Sequence, residues 1–327
     1  MNSPSFIKRI VDGVSAQQLT FIIFMLVIGL IFPRVFAPLH PFNGTFLQII
    51  MFSTGLRLAF GEVFTESKDW KTLLLGNFMM MVGLPILVAI PLAWFAPEWS
   101  LPFIIAAAMP TGITAPAIVN VLGGRTSLAL LMAVSTNAIA PITVPLVLKL
   151  LVGKSVTLDT ADMMWQIASV IVIPLLLSGF AQMRLGTKRI EKAETAIKLT
   201  NLTAFGLVVA SIASASARGG TNGLITIGFD GLIIAGLMMI FWFGIALVTT
   251  ASLTWRERKD RLTVTFCLTY MSYAMGIWVA DTFFPETQIA PKLVAITILV
   301  MALFPVFKWL FPDQRKGLHR AHLIEKV

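Results

Sequence analysis

The sequence predicts an all-α membrane protein of ten transmembrane helices, arranged as two inverted repeats of five. Three observations predict it. Hydrophobic residues make up 57% of the 327 residues and charged residues only 13%, with a mean hydropathy of +0.86, whereas soluble domains carry about 25% charged residues. The apolar residues fall into ten stretches, and a bilayer crossing takes about 20 residues. The fourth and the ninth of these stretches, which hold the same place in the two halves, are both interrupted by small, polar and proline residues.

The elements follow in order. In segment 1–17, Phe6, Ile7, Ile10, Val11 and Val14 recur at helical spacing. They suit either a helix lying on the membrane surface or an extension of the first span. Lys8 and Arg9 precede an apolar run with no small-residue cleavage pattern, so no cleavable signal is expected. The spans are placed at 18–36, 43–61, 71–95, 101–122, 126–152, 162–183, 196–217, 223–253, 262–283 and 288–311. The third and eighth are long and should tilt. The first repeat covers 18–152, the second 162–311, and 312–327 form a cytoplasmic tail.

Charge fixes the expected orientation. With the N-terminus inside, twenty Lys and Arg fall on the inner side. Only Arg34, Lys149, Lys154, Arg218 and Lys292 fall outside. That bias puts both termini in the cytoplasm. It also accounts for the net charge of +9 without any nucleic-acid partner. Five spans per repeat is an odd number, so the second repeat must insert upside down relative to the first.

The two interruptions are the expected functional centre. One runs Ala-Met-Pro-Thr-Gly-Ile-Thr-Ala-Pro-Ala-Ile-Val-Asn from Ala108 to Asn120, the other Thr-Phe-Cys-Leu-Thr-Tyr-Met-Ser-Tyr-Ala-Met-Gly from Thr265 to Gly276. Unwound backbone in a bilayer survives only where protein or a cavity surrounds it. Paired breaks in two halves point to a transporter's binding site. The candidate substrate-binding residues are Thr111, Thr114 and Asn120 of the fourth span, Ser135, Thr136 and Asn137 of the fifth, and Thr269, Tyr270, Ser272 and Tyr273 of the ninth. Each either lines the site or hydrogen-bonds between helices. Tyr270 and Tyr273 are the only tyrosines. Their hydroxyls either meet a substrate oxygen or cap carbonyls freed by the unwound turn.

No lysine or arginine lies mid-membrane, so attraction for an anion must come from the N-terminal ends of half-helices. Pro116 stands where a second half-helix can begin. Asp230 and Asp281 are acidic residues within the spans, at the outer ends of the eighth and ninth. They are either solvated helix ends or proton-accessible carboxylates of an outer gate. Cys267 is the single cysteine, and His40, His319 and His322 lie outside the apolar stretches. No metal site and no cofactor are therefore expected. No nucleotide-binding loop occurs, and no central Asp pair or Ser-Lys pair suggests an intramembrane enzyme.

The chain resembles the bile acid:sodium symporter family over nearly its whole length. The likeness is carried by Ile49-Ile50-Met51-Phe52-Ser53-Thr54-Gly55-Leu56-Arg57-Leu58, by Leu74-Leu75-Gly76 with Pro85 downstream, and by Pro110 to Asn120 followed by Leu122-Gly123-Gly124. It implies a panel domain and a core domain, with the fourth and ninth helices crossing at the bilayer midplane. Family members that use sodium carry a Ser-Asn pair at the fourth-helix break, matched here by Pro116 and Ala117. They carry Glu-x-x-x-Gln at the ninth, matched by Cys267 and Met271, and a third-helix Gln, matched by Met80 five residues before Pro85. No Asp or Glu occurs between Asp260 and Asp281. Sodium requires oxygen ligands, and thioethers and methyl groups do not supply them. The expected function is alternating-access transport of a small or amphipathic organic anion in a bacterial inner membrane, without the family's two-sodium coupling. The rival readings are a sodium symporter with other ligands and a non-transporting binder or sensor on a transporter scaffold.

Overall fold

The computed structural model describes residues 18–58, 70–152, 159–218, 228–285 and 289–310. The leader 1–17, the tail 312–327 and the side chain of Asp230 lie outside the described residues. The helices are α1 (Gln18–Ile31), α2 (Pro33–Phe36), α3 (Asn43–Gly55), α4 (Trp70–Phe95), α5 (Pro97–Ala108), α6 (Ala115–Val121) and α7 (Thr126–Val152). They continue as α8 (Thr160–Leu185), α9 (Thr187–Lys192), α10 (Glu194–Arg218), α11 (Gly228–Ala251), α12 (Arg258–Thr269), α13 (Tyr273–Phe283) and α14 (Ile289–Leu310). A 3-10 turn, Ala37–Phe42, joins α2 to α3. Named strands are absent among the described residues; one isolated β-bridge is present.

Among the described residues, five helices are long and apolar enough to cross a membrane: 70–95, 126–152, 160–185, 194–215 and 231–251. The pair 20–31 and 33–55, bent by 95°, makes a sixth if taken as one span. The sequence predicts ten spans, and the difference has a physical cause. The fourth and ninth are cut into pieces of 12 and 7 residues and of 12 and 11 residues, so no piece reaches across alone. The first, expected over 18–36, stops at Ile31, because Pro33 lacks a donor for the Gly29 carbonyl. The second, expected over 43–61, leaves the helix at Gly55.

The helices pack in two groups. In the smaller, α10 lies along α1 and α3, and α8 along α3. In the larger, α4 packs on α5, α7 on α6, α5 and α12, and α14 on α13, α11 and α5. The groups meet where α13 and α14 lie against α1, α3 and α10, and along α7 and α8. Large apolar side chains on the rim face outward, among them Trp94 (84% exposed), Phe95 (83%) and Leu150 (71%), as a lipid-facing surface requires.

Lipid is as apolar as leucine, so close backbone approach and interhelical hydrogen bonds carry the packing here. Gly29 of α1 meets the Ala210 backbone of α10, and a Cβ would be driven into the Ala210 carbonyl oxygen. The Gly29 carbonyl that Pro33 leaves unpaired accepts from Ser214 Oγ at 2.7 Å. Pro102 of α5 likewise frees the Glu98 carbonyl, which accepts from Lys292 Nζ at 2.7 Å. In α4 the strain of Pro85 is spread over a π-turn, Met79–Gly83, a single wide turn of the kind that marks functional helices.

Candidate functional site

The chain leaves helical geometry at 109–114 and again at 270–272. There the two segments form an antiparallel bridge between Thr111 and Met271. Gly112 N–H donates to the Tyr270 carbonyl at 2.9 Å, and Ser272 N–H donates to the Pro110 carbonyl at 2.8 Å. Glycine at 112 permits the approach, since a Cβ there would stand 2.8 Å from Tyr270 Cε1. The two interruptions thus meet and exchange the hydrogen bonds that their helices forgo.

Further freed groups find partners nearby, as low-dielectric surroundings favour. Thr111 N–H donates to Thr136 Oγ1 at 3.2 Å, and the Thr111 carbonyl accepts from Asn137 Nδ2 at 2.9 Å. Trp242 Nε1 donates to the Leu268 carbonyl at 3.0 Å, and Tyr273 Oη to the Thr269 carbonyl at 2.9 Å. The Gly112 carbonyl, which Pro116 cannot serve, accepts from Ala115 N–H at 2.8 Å. Two further contacts tie the same helices at their other end. Arg125 N–H donates to Thr263 Oγ1 at 2.8 Å, and the Arg125 guanidinium lies 3.5 Å from Asp260 Oδ2. Arg256 shares that carboxylate at 3.6 Å.

Against the bridge lies a cavity of about 80 Å³. Gly112, Thr114, Tyr270, Ser272 and Tyr273 line it from the breaks; Met51 and Thr54 from α3, Asn201 and Phe205 from α10, and Thr297 from α14 close it. Tyr270 Oη and Thr114 Oγ1 lie 3.1 Å apart, and the Tyr270 ring stacks on Phe266 at 5.1 Å. The first turn of α13 opens onto this space, with Ser272 at its N-cap.

The sequence candidates divide into three sets. Thr114, Tyr270, Ser272 and Tyr273 line the cavity. Thr111, Thr136 and Asn137 are fully buried behind it and clamp the broken backbone. The other three lie elsewhere. Ser135 Oγ bonds Asn77 and the Leu131 carbonyl, and Thr269 Oγ1 bonds the Thr265 carbonyl of its own helix. Asn120 is exposed near the end of α6. Thr54, Asn201 and Thr297 were not among the candidates. Asn201 bonds Thr54, Ser53 and the Ile50 carbonyl, and its one visible signal is an amide inside an apolar helix. At the positions matched to sodium ligands, Met80 Sδ accepts from Thr111 Oγ1 at 2.9 Å, Met271 enters the bridge through its backbone, and Cys267 is buried in α12. Pro116 sits in the first turn of α6 and Ala117 is exposed. Among the described residues that line the cavity there is no carboxylate.

Two interrupted helices bonded to one another beside a small cavity with hydroxyl groups on its wall, within a helical membrane scaffold, define a membrane transport protein. Comparison with known families is specific: the model of the SBF-like CPA transporter family matches residues 17–308, and the chain belongs to that family. The chain is a multi-pass membrane protein of a transporter family, not an enzyme. It is also similar to a protein of Bacillus subtilis (strain 168) described as "Uncharacterized sodium-dependent transporter YocS", with 23% identity over 203 residues. That match covers 59% of this chain and 61% of the relative's length.

Proposed function

We propose that the protein carries a small organic anion across a bacterial inner membrane by alternating access, with both termini in the cytoplasm. The four-helix group α1, α3, α8 and α10 is the panel, and the remaining spans are the core. The ten spans form two inverted repeats, with α5/α6 and α12/α13 as their broken fourth members. The observation that carries this reading is the cavity at the bridge, walled by side chains of both groups. A site in that seam opens to one side or the other as the groups rock. The N-terminal turn of α13 aims a positive partial charge at it, and the hydroxyls of Thr114, Tyr270 and Ser272 supply donors. At about 80 Å³ it is well below the roughly 300–1,000 Å³ of a typical ligand pocket. A bile-acid-sized anion therefore enters only when the panel and core separate.

Sodium is the point of division. The proposed coupling omits the family's two-sodium scheme, on the strength of Met80, Pro116, Ala117, Cys267 and Met271. One observation favours the rival: Asn137 Oδ1 is buried with no donor in the protein, and an orphaned carbonyl oxygen is a possible ligand for a hard cation. The relative's printed name also speaks of sodium dependence. A thermal-shift series with carboxylates and sulfonates separates the readings, run in sodium and then with choline replacing it at constant ionic strength. Stabilisation by an anion that is equal in both salts is the expected result. Stabilisation that saturates with sodium supports the rival, and none by any anion rejects the substrate class.

A further inference from the structure

At the end of the molecule opposite Arg125 and Asp260, a hydrogen bond between titratable side chains joins the two helix groups. His40 Nε2 lies 2.8 Å from Asp281 Oδ1, across 241 residues of sequence. His40 stands in the 3-10 turn leading into α3, and so belongs to the smaller group; Asp281 stands in the last turn of α13, in the larger. Trp278, one helical turn before Asp281, is 5% exposed and lies against Gly44 in the same seam. The carboxylate needs a cation. It sits at the negative end of the α13 dipole, and its side chain is only 16% exposed. The carboxylate already makes this a charge-assisted hydrogen bond, and an imidazolium partner adds the attraction of an opposite charge.

A polar cavity of about 440 Å³ opens beside the pair, lined also by Asn43, Gln48, Gln166 and Ser169. It has room for several waters, at about 30 Å³ each. Asn43, at the cavity wall, is 2% exposed, and its Oδ1 accepts from Ser211 Oγ. We propose that the His40–Asp281 pair is a proton-binding site whose occupancy holds the two helix groups together at this end. The proton adds to the imidazole from cavity water and returns to it; no other reactant is needed. The inference rests on the alternating-access reading only in requiring that the groups can separate.

The sign follows from linkage. In the joined form the hydrogen bond to Asp281 raises the His40 pKa, against the opposing effect of burial, and the carboxylate's charge adds to the rise. In the separated form His40 returns to water and to an ordinary value of about 6.5. Protons therefore favour the joined form. Its advantage is fully present below about 6.5 and is lost as pH rises through the raised value. The other charged groups on the surrounding elements are few. Arg34 lies on α2, none lies on α3, and α10 carries Glu194 and Lys198 at its far end and Arg218 as its last residue. On α8, Asp159 caps the helix, Asp162 bonds Gln166 and Arg184 lies in the last turn; α14 and α5, which also pack on α13, carry Lys292, Lys308 and Glu98, and Lys292 Nζ donates to the Glu98 carbonyl. Asp281 is the one on α13.

The test uses spin labels on the full chain in detergent. Phe42→Cys marks the 3-10 turn and Glu98→Cys marks α5; both positions are exposed, and Cys267→Ala removes the native thiol. The label distance is expected to be short and narrow at about pH 5 and longer at about pH 9, bracketing the range over which histidine changes charge. His40→Lys, which keeps the charge, should hold the short distance at both pH values; His40→Gln should lose it at both. Asp281→Asn should abolish the pH response while Asp281→Glu retains it, which guards against simple misfolding. A distance that does not change with pH overturns the proposal, as does a response that survives Asp281→Asn. The measurement involves no anion, so a failed anion screen leaves it intact.

Discussion

Asn137 and Tyr270 stand a few residues' reach apart, yet their side chains do different work. Asn137 Nδ2 bonds the carbonyls of Thr111 and Ala133, so it closes backbone. Tyr270 Oη meets Thr114 Oγ1 at the cavity wall, so it faces whatever enters. Asn137→Leu is expected to lower thermal stability, by about 1–3 kcal/mol for the carbonyl left without its donor. Tyr270→Phe and Thr114→Val should spare stability and weaken anion affinity, by roughly 0.5–1.5 kcal/mol each. Because the two hydroxyls share one contact, the double variant should lose less than the sum. Melting curves and titrations on each variant check both statements; unchanged affinity in both hydroxyl variants removes them from the site. The sequence showed Ser135, Thr136 and Asn137 as one polar run and could not sort them. Sorting depends on which carbonyls lie opposite, and those belong to a segment more than 20 residues away. Thr54, Asn201 and Thr297 were hidden for the same reason, since each reaches the cavity from a different helix.

At the scale of helices, proline made most of the architecture legible. Pro110, Gly112 and Pro116 announced one break, and the small and polar run after Thr269 announced the other. Pro33 and Pro85 carried further information that span-counting ignored: one ends α1 early, and the other widens α4 into a π-turn. Two of the missing donors are answered from elsewhere in the fold: Ser214 answers Pro33 and Lys292 answers Pro102. The contact of α1 with α10 depends on Gly29 in the same way. Gly29→Ala should lower the melting temperature through overpacking, by about 1–3 kcal/mol. Ser214→Ala should also destabilise, by about 1–3 kcal/mol, through the carbonyl left bare. Melting temperatures no lower than that of the parent in both variants would show that this helix pair is not held as described.

For the molecule as a whole, hydropathy and charge conveyed the membrane class, while the division into two groups had no counterpart in the sequence. Grouping is a property of which faces meet, and the spans are apolar on every side. The bridge between Thr111 and Met271 joins the first half of the chain to the second, and it is reciprocal: each half supplies a donor and an acceptor to the other. A gene cut in the loop around Gly186 would yield two polypeptides, each with an unwound segment whose backbone groups find no partner in its own fragment. In a bilayer neither fragment could bury that segment cheaply. Produced singly, each should be degraded; produced together, each would act as the other's folding template. The crossing is therefore an assembly checkpoint, because only a chain with both halves inserted can complete it.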